Sequence, residues 1–259
     1  MTKTRVRDLH YEAPIRGGYP MAAKIAPSEM NDAWRVIAIP GAPSRFLLFM
    51  RLLALAPIDL DFTVVMRPGY APSGGRSPAP VLDFEDQVAA IAPLLERDDQ
   101  RPTILLGVSY GGALALKCAL DHPDRIAGVI TSGMLVREPH KHVRLAARAG
   151  GAPWLRELLP AHTDTARREL AARRRQFEAL AERLPSTRQP VTIVHGNRDW
   201  VVPCASAAEL RGLFAPNADI VLKHIEGGTH YLECERPRLI LSEIDALKAR
   251  VQSKTPAPV

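Results

Sequence analysis

Residues 103–116 read TILLGVSYGGALAL, which places a G-x-S-x-G pentapeptide between two apolar runs. The first run has the length and composition of a buried parallel strand, and the second fits a helix. A serine on so sharp a turn takes a strained backbone conformation and points its hydroxyl outward. Such a turn needs small residues on both sides of the serine, and Gly107 and Gly111 meet that need. We therefore interpret Ser109 as a nucleophile rather than as an ordinary turn serine.

The composition is that of an ordinary soluble globular protein. The chain has 259 residues, of which 46% are hydrophobic and 24% charged, and this suits one α/β domain with a large core. The N-terminal residues lack the apolar segment of a secretory signal, and no apolar stretch is long enough to span a bilayer. The three cysteines, Cys118, Cys204 and Cys234, have neither a metal-ligand spacing nor the pattern of a disulfide framework. We expect a cytoplasmic protein without an integral membrane segment and without a bound metal.

The net charge of +6 raises the question of a nucleic-acid partner. No basic stretch interleaved with aromatic residues and no nucleic-acid-binding motif is present. The charge is better explained by a solvated, arginine-rich surface, so we expect no nucleic-acid partner.

Short buried strands alternate with helices along most of the chain, after an antiparallel segment at residues 4–26. This alternation predicts a mostly parallel sheet covered by helices on both faces. The predicted strands are 34–39, 62–66, 103–106, 125–131, 191–195 and 220–225. The predicted helices are 46–55, a helix around 88–95 that Pro93 shortens, one from Ser109 to about 121, 205–214, and one that begins at Pro237.

Residues 134–187 interrupt the alternation, because they are split by prolines and contain no convincing strand. We expect a helical cap over the strand ends, where such sheets bind ligands, inserted between core segments 1–133 and 188–259. Trp154 in the cap and Trp200 in the core are candidate substrate-binding residues. The cap's many arginines leave two interpretations open: a solvated helix face, which we favour, and a site for a substrate that carries a carboxylate or phosphate.

A serine hydroxyl becomes a good nucleophile only when a base, held in one tautomer, takes its proton. His230 is the candidate base, because it follows the last predicted strand in a glycine-containing loop. Asp199 follows the preceding strand and is the candidate orienting acid; Glu226 lies too close to His230 in the chain to reach it easily. The backbone N–H groups of Ala42 and Tyr110 are the candidate oxyanion-hole donors.

The sequence resembles the serine hydrolases of the α/β-hydrolase superfamily over nearly its whole length. The resemblance is carried by residues 107–112, the loop 67–70 with Ser73, residues 196–203, residues 228–230 and residues 235–237. It implies an α/β-hydrolase fold with an eight-stranded, mostly parallel sheet, a cap inserted after strand six, and catalysis without a cofactor. One departure is that Pro40-Gly41 stands where related proteins usually carry His-Gly, which puts the bracing of the oxyanion loop in question.

The expected reaction is hydrolysis of a carboxylic ester or related acyl bond of a small molecule through an acyl-enzyme intermediate. A thioesterase, a carbon–carbon bond hydrolase and a cofactor-free perhydrolase would use the same machinery. A non-hydrolytic ligand-binding or receptor protein on the same fold is the alternative from another class, because a fold does not determine a function. Ser109 argues against haloalkane dehalogenases and epoxide hydrolases, which carry aspartate at that position.

Overall fold

The structure, a computed structural model, describes residues 6–71, 79–96, 101–152 and 160–254. Eight strands form one sheet in the order β1-β2-β4-β3-β5-β6-β7-β8. The strands are β1 Arg7–Ala13, β2 Tyr19–Ala26, β3 Trp34–Ile39, β4 Leu60–Val65, β5 Thr103–Val108, β6 Ile126–Ser132, β7 Val191–Gly196 and β8 Ile220–Ile225. The pairs β1–β2 and β2–β4 are antiparallel, whereas β4 pairs parallel with β3 and all the following pairs are parallel.

Helices cover both faces of this sheet. They are α1 Met50–Leu55, α2 Phe84–Ala89, α3 Tyr110–Asp121, α4 Lys141–Ala149, α5 Ala161–Arg183, α6 Ala205–Gly212, α7 Leu232–Glu235 and α8 Pro237–Gln252, with 3₁₀ turns at Phe46–Phe49, Ala92–Leu94 and Leu184–Ser186. Strands β3, β4, β5 and β7 are buried along their whole length, and β6 is buried at every residue except the half-buried Ala127, as expected of strands covered on both sides. The predicted fold, a mostly parallel eight-stranded sheet flanked by helices, is confirmed.

Two apolar cores lie on opposite faces of the sheet, because successive side chains of a strand alternate between faces. In β3, Ile37 and Ile39 belong to the core under α2 and α3, whereas Val36 and Ala38 belong to the core under α1 and α8. The two cores hold the sheet between helical layers, so the strand ends stay in fixed positions.

Local sequence explains why several helices differ from their predicted bounds. In place of the helix predicted around 88–95, helix α2 ends at Ala89, and Pro93 lies in the 3₁₀ turn that follows. The predicted helix 46–55 begins with a 3₁₀ turn and becomes α-helical at Met50. The four-residue helix α7 was not predicted, because one turn is too short to show a periodicity.

Between β6 and β7 the described residues contain helices α4 and α5 and no strand. Helix α4 has no buried residue, whereas α5 buries side chains such as Glu169, Arg173 and Phe177. The division of the chain into a core and a cap over 134–187 stays a prediction. Among the described residues, no helix combines the length and the apolar character that a membrane crossing requires.

Candidate active site

Ser109 lies at the junction of β5 and α3 in a backbone conformation that side chains rarely adopt. Its φ is 53° and its ψ is −116°. The two glycines around it are required by close backbone approach: a Cβ on Gly107 would lie 2.5 Å from Gly111 O, and a Cβ on Gly111 would lie 2.1 Å from Ile39 O. The tight turn therefore presents Ser109 at the carboxyl edge of the sheet at the expense of backbone strain.

Asp199 and His230 meet at the same edge. They follow the adjacent parallel strands β7 and β8, and Asp199 Oδ2 lies 2.7 Å from His230 Nδ1. The other carboxylate oxygen of Asp199 accepts hydrogen bonds of 2.8 Å from the backbone N–H groups of Val201 and Val202. Glu226, the alternative acid, instead accepts a hydrogen bond of 2.6 Å from the Asn197 side chain.

The electrostatics favour an ionised Asp199. Burial alone raises the pKa of Asp199, but hydrogen bonds from His195 and His230 outweigh burial and hold the pKa below its ordinary value. An ionised carboxylate only accepts hydrogen bonds, so His230 donates to it through Nδ1–H and keeps Nε2 available as a base.

A second histidine, His195 on β7, also contacts Asp199, and this contact was not predicted. Its Nε2 lies 3.3 Å from Asp199 Oδ2 and 3.3 Å from Val202 O. Its place at the end of β7, four residues before Asp199, was a signal that the turn could fold back onto the strand.

Gly133 brings the end of β6 against the Asp199–His230 pair. It has a φ of 55°, and a Cβ there would lie 3.1 Å from His230 Nδ1 and 3.3 Å from Asp199 Oδ2. A residue with a side chain would press on both partners. This role of Gly133 was not predicted, because the contact joins segments distant in the chain.

Ser109 and His230 share a cavity of about 360 Å³. The size and the mostly apolar walls suit a small organic group. The remaining lining residues are Gly41, Ala42, Pro43, Arg45, Leu48, Val108, Leu135, Pro139, Val143, Leu170, Val201, Val202, Tyr231 and Glu233.

Of the two tryptophans predicted to bind substrate, the structure describes only Trp200. Trp200 is 52% exposed and is not among the described residues that line the cavity. Its ring lies between those of His142 and Tyr231, with centroid distances of 6.2 Å to each, and Tyr231 does line the cavity. Trp154 lies outside the described residues, as does Ser73. The substrate-binding roles of both tryptophans stay predictions.

The candidate oxyanion donors belong to two segments next to Ser109. A Cβ on Gly41 would be only 3.0 Å from Ser109 Cβ, so the loop that carries Ala42 packs directly on the serine. Tyr110 is the first residue of α3, so its N–H has no acceptor within the helix. The positive end of the helix dipole adds to the attraction for an anion at this place.

Glu233 is a buried carboxyl group at the cavity that was not predicted. Neither of its oxygens has a hydrogen-bond partner within the part of the chain that the structure describes. Burial raises the pKa of Glu233 to about 8, with smaller contributions from Glu235 and Asp199. Glu233 is therefore mostly protonated at pH 7.

Several arginines of the segment between β6 and β7 have partners within the protein. Arg173 donates to the backbone oxygens of Leu135 and Val136 at 2.8 and 3.1 Å. Further ion pairs join Arg167 to Asp164, Arg174 to Glu178 and Arg183 to Asp121. Arg144 and Arg148 on α4 are exposed, and both line a second cavity. For the arginines of this segment, the solvated helix face that we favour stays a prediction, with the anion site as its alternative.

Comparison with known proteins places these features in a family. The family model described as the alpha/beta hydrolase family matches residues 36–256. The chain is 35% identical over 100 residues to a pimeloyl-[acyl-carrier protein] methyl ester esterase from Edwardsiella ictaluri. The matched stretch covers 39% of this chain and 30% of that protein. The chain thus spans about a third of the length of the curated relatives it first matches.

Solved structures share the fold at low sequence identity. An esterase from Thermogutta terrifontis has a TM-score of 0.71 at 17% identity over 94% of this chain and 99% of that one. A haloalkane dehalogenase from Bradyrhizobium elkani has a TM-score of 0.74 at 17% identity over 97% of this chain and 100% of that one. The family model, the sheet order and the strained serine turn agree, and the chain belongs to the alpha/beta hydrolase family.

Proposed function

We propose that this protein is a serine esterase that hydrolyses a carboxylic ester of a small molecule through an acyl-enzyme intermediate. The observation that carries the proposal is the 2.7 Å pairing of His230 with Asp199 beside a cavity that also contains Ser109 in its strained turn. The ester-hydrolysing relative supports the choice of bond, since its name describes a methyl ester esterase.

In the first half of the reaction, Ser109 Oγ attacks the ester carbonyl while His230 Nε2 takes the hydroxyl proton. The N–H groups of Ala42 and Tyr110 stabilise the oxyanion of the tetrahedral intermediate. The intermediate collapses, the carbon–oxygen bond to the alcohol breaks, and His230 returns the proton to the leaving alkoxide.

In the second half, a water molecule attacks the acyl-enzyme with His230 as base, and the carboxylic acid leaves as Ser109 regains its proton. Asp199 keeps the imidazole in one tautomer throughout. The apolar walls, such as Leu48, Val143 and Leu170, suit an apolar acyl or alcohol part. We further propose a cytoplasmic location, in keeping with the sparse cysteines, and a cap function for residues 134–187.

Covalent labelling and steady-state turnover test the proposal together. The parent should react with a fluorophosphonate at Ser109 and should turn over short p-nitrophenyl esters many times. Ser109→Ala should abolish both, whereas Ser242→Ala, which removes an exposed serine on α8, should change neither. One stoichiometric burst without steady-state release would contradict an esterase and favour the ligand-binding alternative.

A further inference from the structure

Arg67 is a fully buried arginine in the loop after β4, and it is bound from several sides. It pairs with both carboxylate oxygens of Glu169 on α5, at 2.5 and 2.9 Å. It also donates to Gln87 Oε1 at 2.8 Å. Glu169 is itself fully buried, so each charge needs the other to offset the loss of hydration.

Two further hydrogen bonds of Arg67 go to the oxyanion loop. Nε donates to Pro40 O at 2.9 Å, and Nη2 donates to Gly41 O at 2.7 Å. These two bonds are not needed to neutralise Glu169. They instead fix two successive carbonyls of the loop that packs on Ser109.

The Gly41 carbonyl and the Ala42 N–H belong to the same peptide group. In a planar trans peptide these two groups point in opposite directions. A guanidinium that anchors Gly41 O therefore turns the Ala42 N–H away from the buried cluster. A cation on the carbonyl also polarises the peptide, which makes the N–H a stronger donor.

Arg67 also contacts the residue that carries the second candidate donor. Its guanidinium carbon lies 4.5 Å from the ring centroid of Tyr110, and Gln87 donates to the Tyr110 hydroxyl at 3.2 Å. One buried cation thus braces the residues that carry both donors. Tyr70 completes the cluster, because its hydroxyl donates to Glu169 at 2.5 Å.

We propose that Arg67, held in place by Glu169, is the positioning residue of the oxyanion hole. This role rests on the proposed esterase function, since the hole matters only if an oxyanion forms. Arg67 braces the loop that carries Ala42 through the carbonyls of Pro40 and Gly41. Helix α5 takes part through Glu169, so the segment between β6 and β7 is coupled to the reacting centre.

Two conservative variants test the role. Arg67→Lys keeps the charge but has no planar fork, so it cannot hold two carbonyls and a carboxylate together. Glu169→Gln keeps the shape but removes the charge that holds Arg67. We expect kcat on a short p-nitrophenyl ester to fall by about 10–100-fold in both variants with KM changed less than threefold, because misplacing one donor costs up to about 10²–10³ in kcat.

Butylboronic acid supplies a readout that a merely structural role would not move. Its adduct with Ser109 is tetrahedral and places an oxygen in the oxyanion hole. Its Ki should rise in Arg67→Lys by the same factor by which kcat/KM falls. The matched control is Arg250→Lys, which alters an arginine bonded to Asp219 and to the Val191 carbonyl near the start of β7, and which should leave all constants within twofold.

The outcomes separate the two proposals. A parent without turnover contradicts the esterase function itself. With an active parent, unchanged kcat and Ki in both variants overturn only the positioning role. If KM and Ki instead rise by the same factor and Tm falls, the positioning role is also overturned. That result would indicate that the cluster only supports the fold.

Discussion

At the scale of single residues, the site depends on how a few buried polar groups are paired. Asp199 uses one oxygen for His230 and the other for two backbone N–H groups, so both its position and its charge are fixed. The sequence pointed to this pair because each residue follows a late strand of the predicted sheet. It did not reveal Glu233 or the Arg67–Glu169 pair, because burial of a charged side chain depends on segments as far as 102 positions apart.

Replacement of Asp199 tests its proposed role as the acid that orients His230. Asp199→Asn should leave the fold intact but present an amide to His230, which allows the wrong tautomer. We expect kcat to fall by about 10⁴-fold. Asp245→Asn, which changes an exposed acid on α8, is the control and should retain full activity. Activity of Asp199→Asn within tenfold of the parent would mean that another group orients the base.

At the scale of elements, the ends of four strands meet at the site. Ser109, Asp199 and His230 follow β5, β7 and β8, and Gly133 follows β6. Apolar runs predicted β5, β6 and β7 within a few residues, because a strand buried on both faces has a continuous apolar sequence. The edge strand β8 is mostly half-buried, and its shorter apolar run still predicted its bounds. Helix α7 and the approach of Gly133 to the histidine were not predictable, since neither leaves a periodic pattern.

Gly133 provides a prediction at this scale. Gly133→Ala places a methyl group in tight contact with the Asp199–His230 pair, 3.1 Å from His230 Nδ1 and 3.3 Å from Asp199 Oδ2, and it forces alanine into a left-handed φ. We expect a loss of about 1–2 kcal/mol in the free energy of unfolding and a fall in kcat. Gly212→Ala at the end of α6 meets no atom within 4 Å, so it should leave kcat unchanged and should not lower the free energy of unfolding. Chemical denaturation and ester kinetics measure both quantities. Full activity in Gly133→Ala would show that the close approach is not needed.

At the scale of the whole molecule, the protonation of one buried group affects the stability of the entire fold. Glu233 keeps its proton up to about pH 8 in the folded chain, whereas its ordinary pKa is 4.5. Between these values the folded state binds more protons than the unfolded state. The contribution of Glu233 therefore lowers stability as pH rises, by up to about 1.4 kcal/mol per pH unit.

Glu233→Gln removes this contribution, since glutamine stays neutral. We expect the free energy of unfolding to fall less between pH 5 and pH 8 in Glu233→Gln than in the parent. Urea denaturation at a series of pH values measures the difference. Glu182→Gln, which alters an exposed carboxyl on α5, should follow the parent. Identical pH dependence in the parent and Glu233→Gln would show that the Glu233 carboxyl is ionised in the fold.

The strained turn presents Ser109, the proposed nucleophile, and the same strain lowers the stability of the fold. Glycine adopts the φ of 53° and ψ of −116° without penalty, so Ser109→Gly should unfold at a higher temperature while losing all ester turnover. Strain of this kind is worth about 1–3 kcal/mol. A lower Tm for Ser109→Gly than for the parent would contradict the view that strain at this position destabilises the fold. During neutral drift without selection for activity, we expect this position to change early, because the change that abolishes the reaction also makes the protein longer-lived.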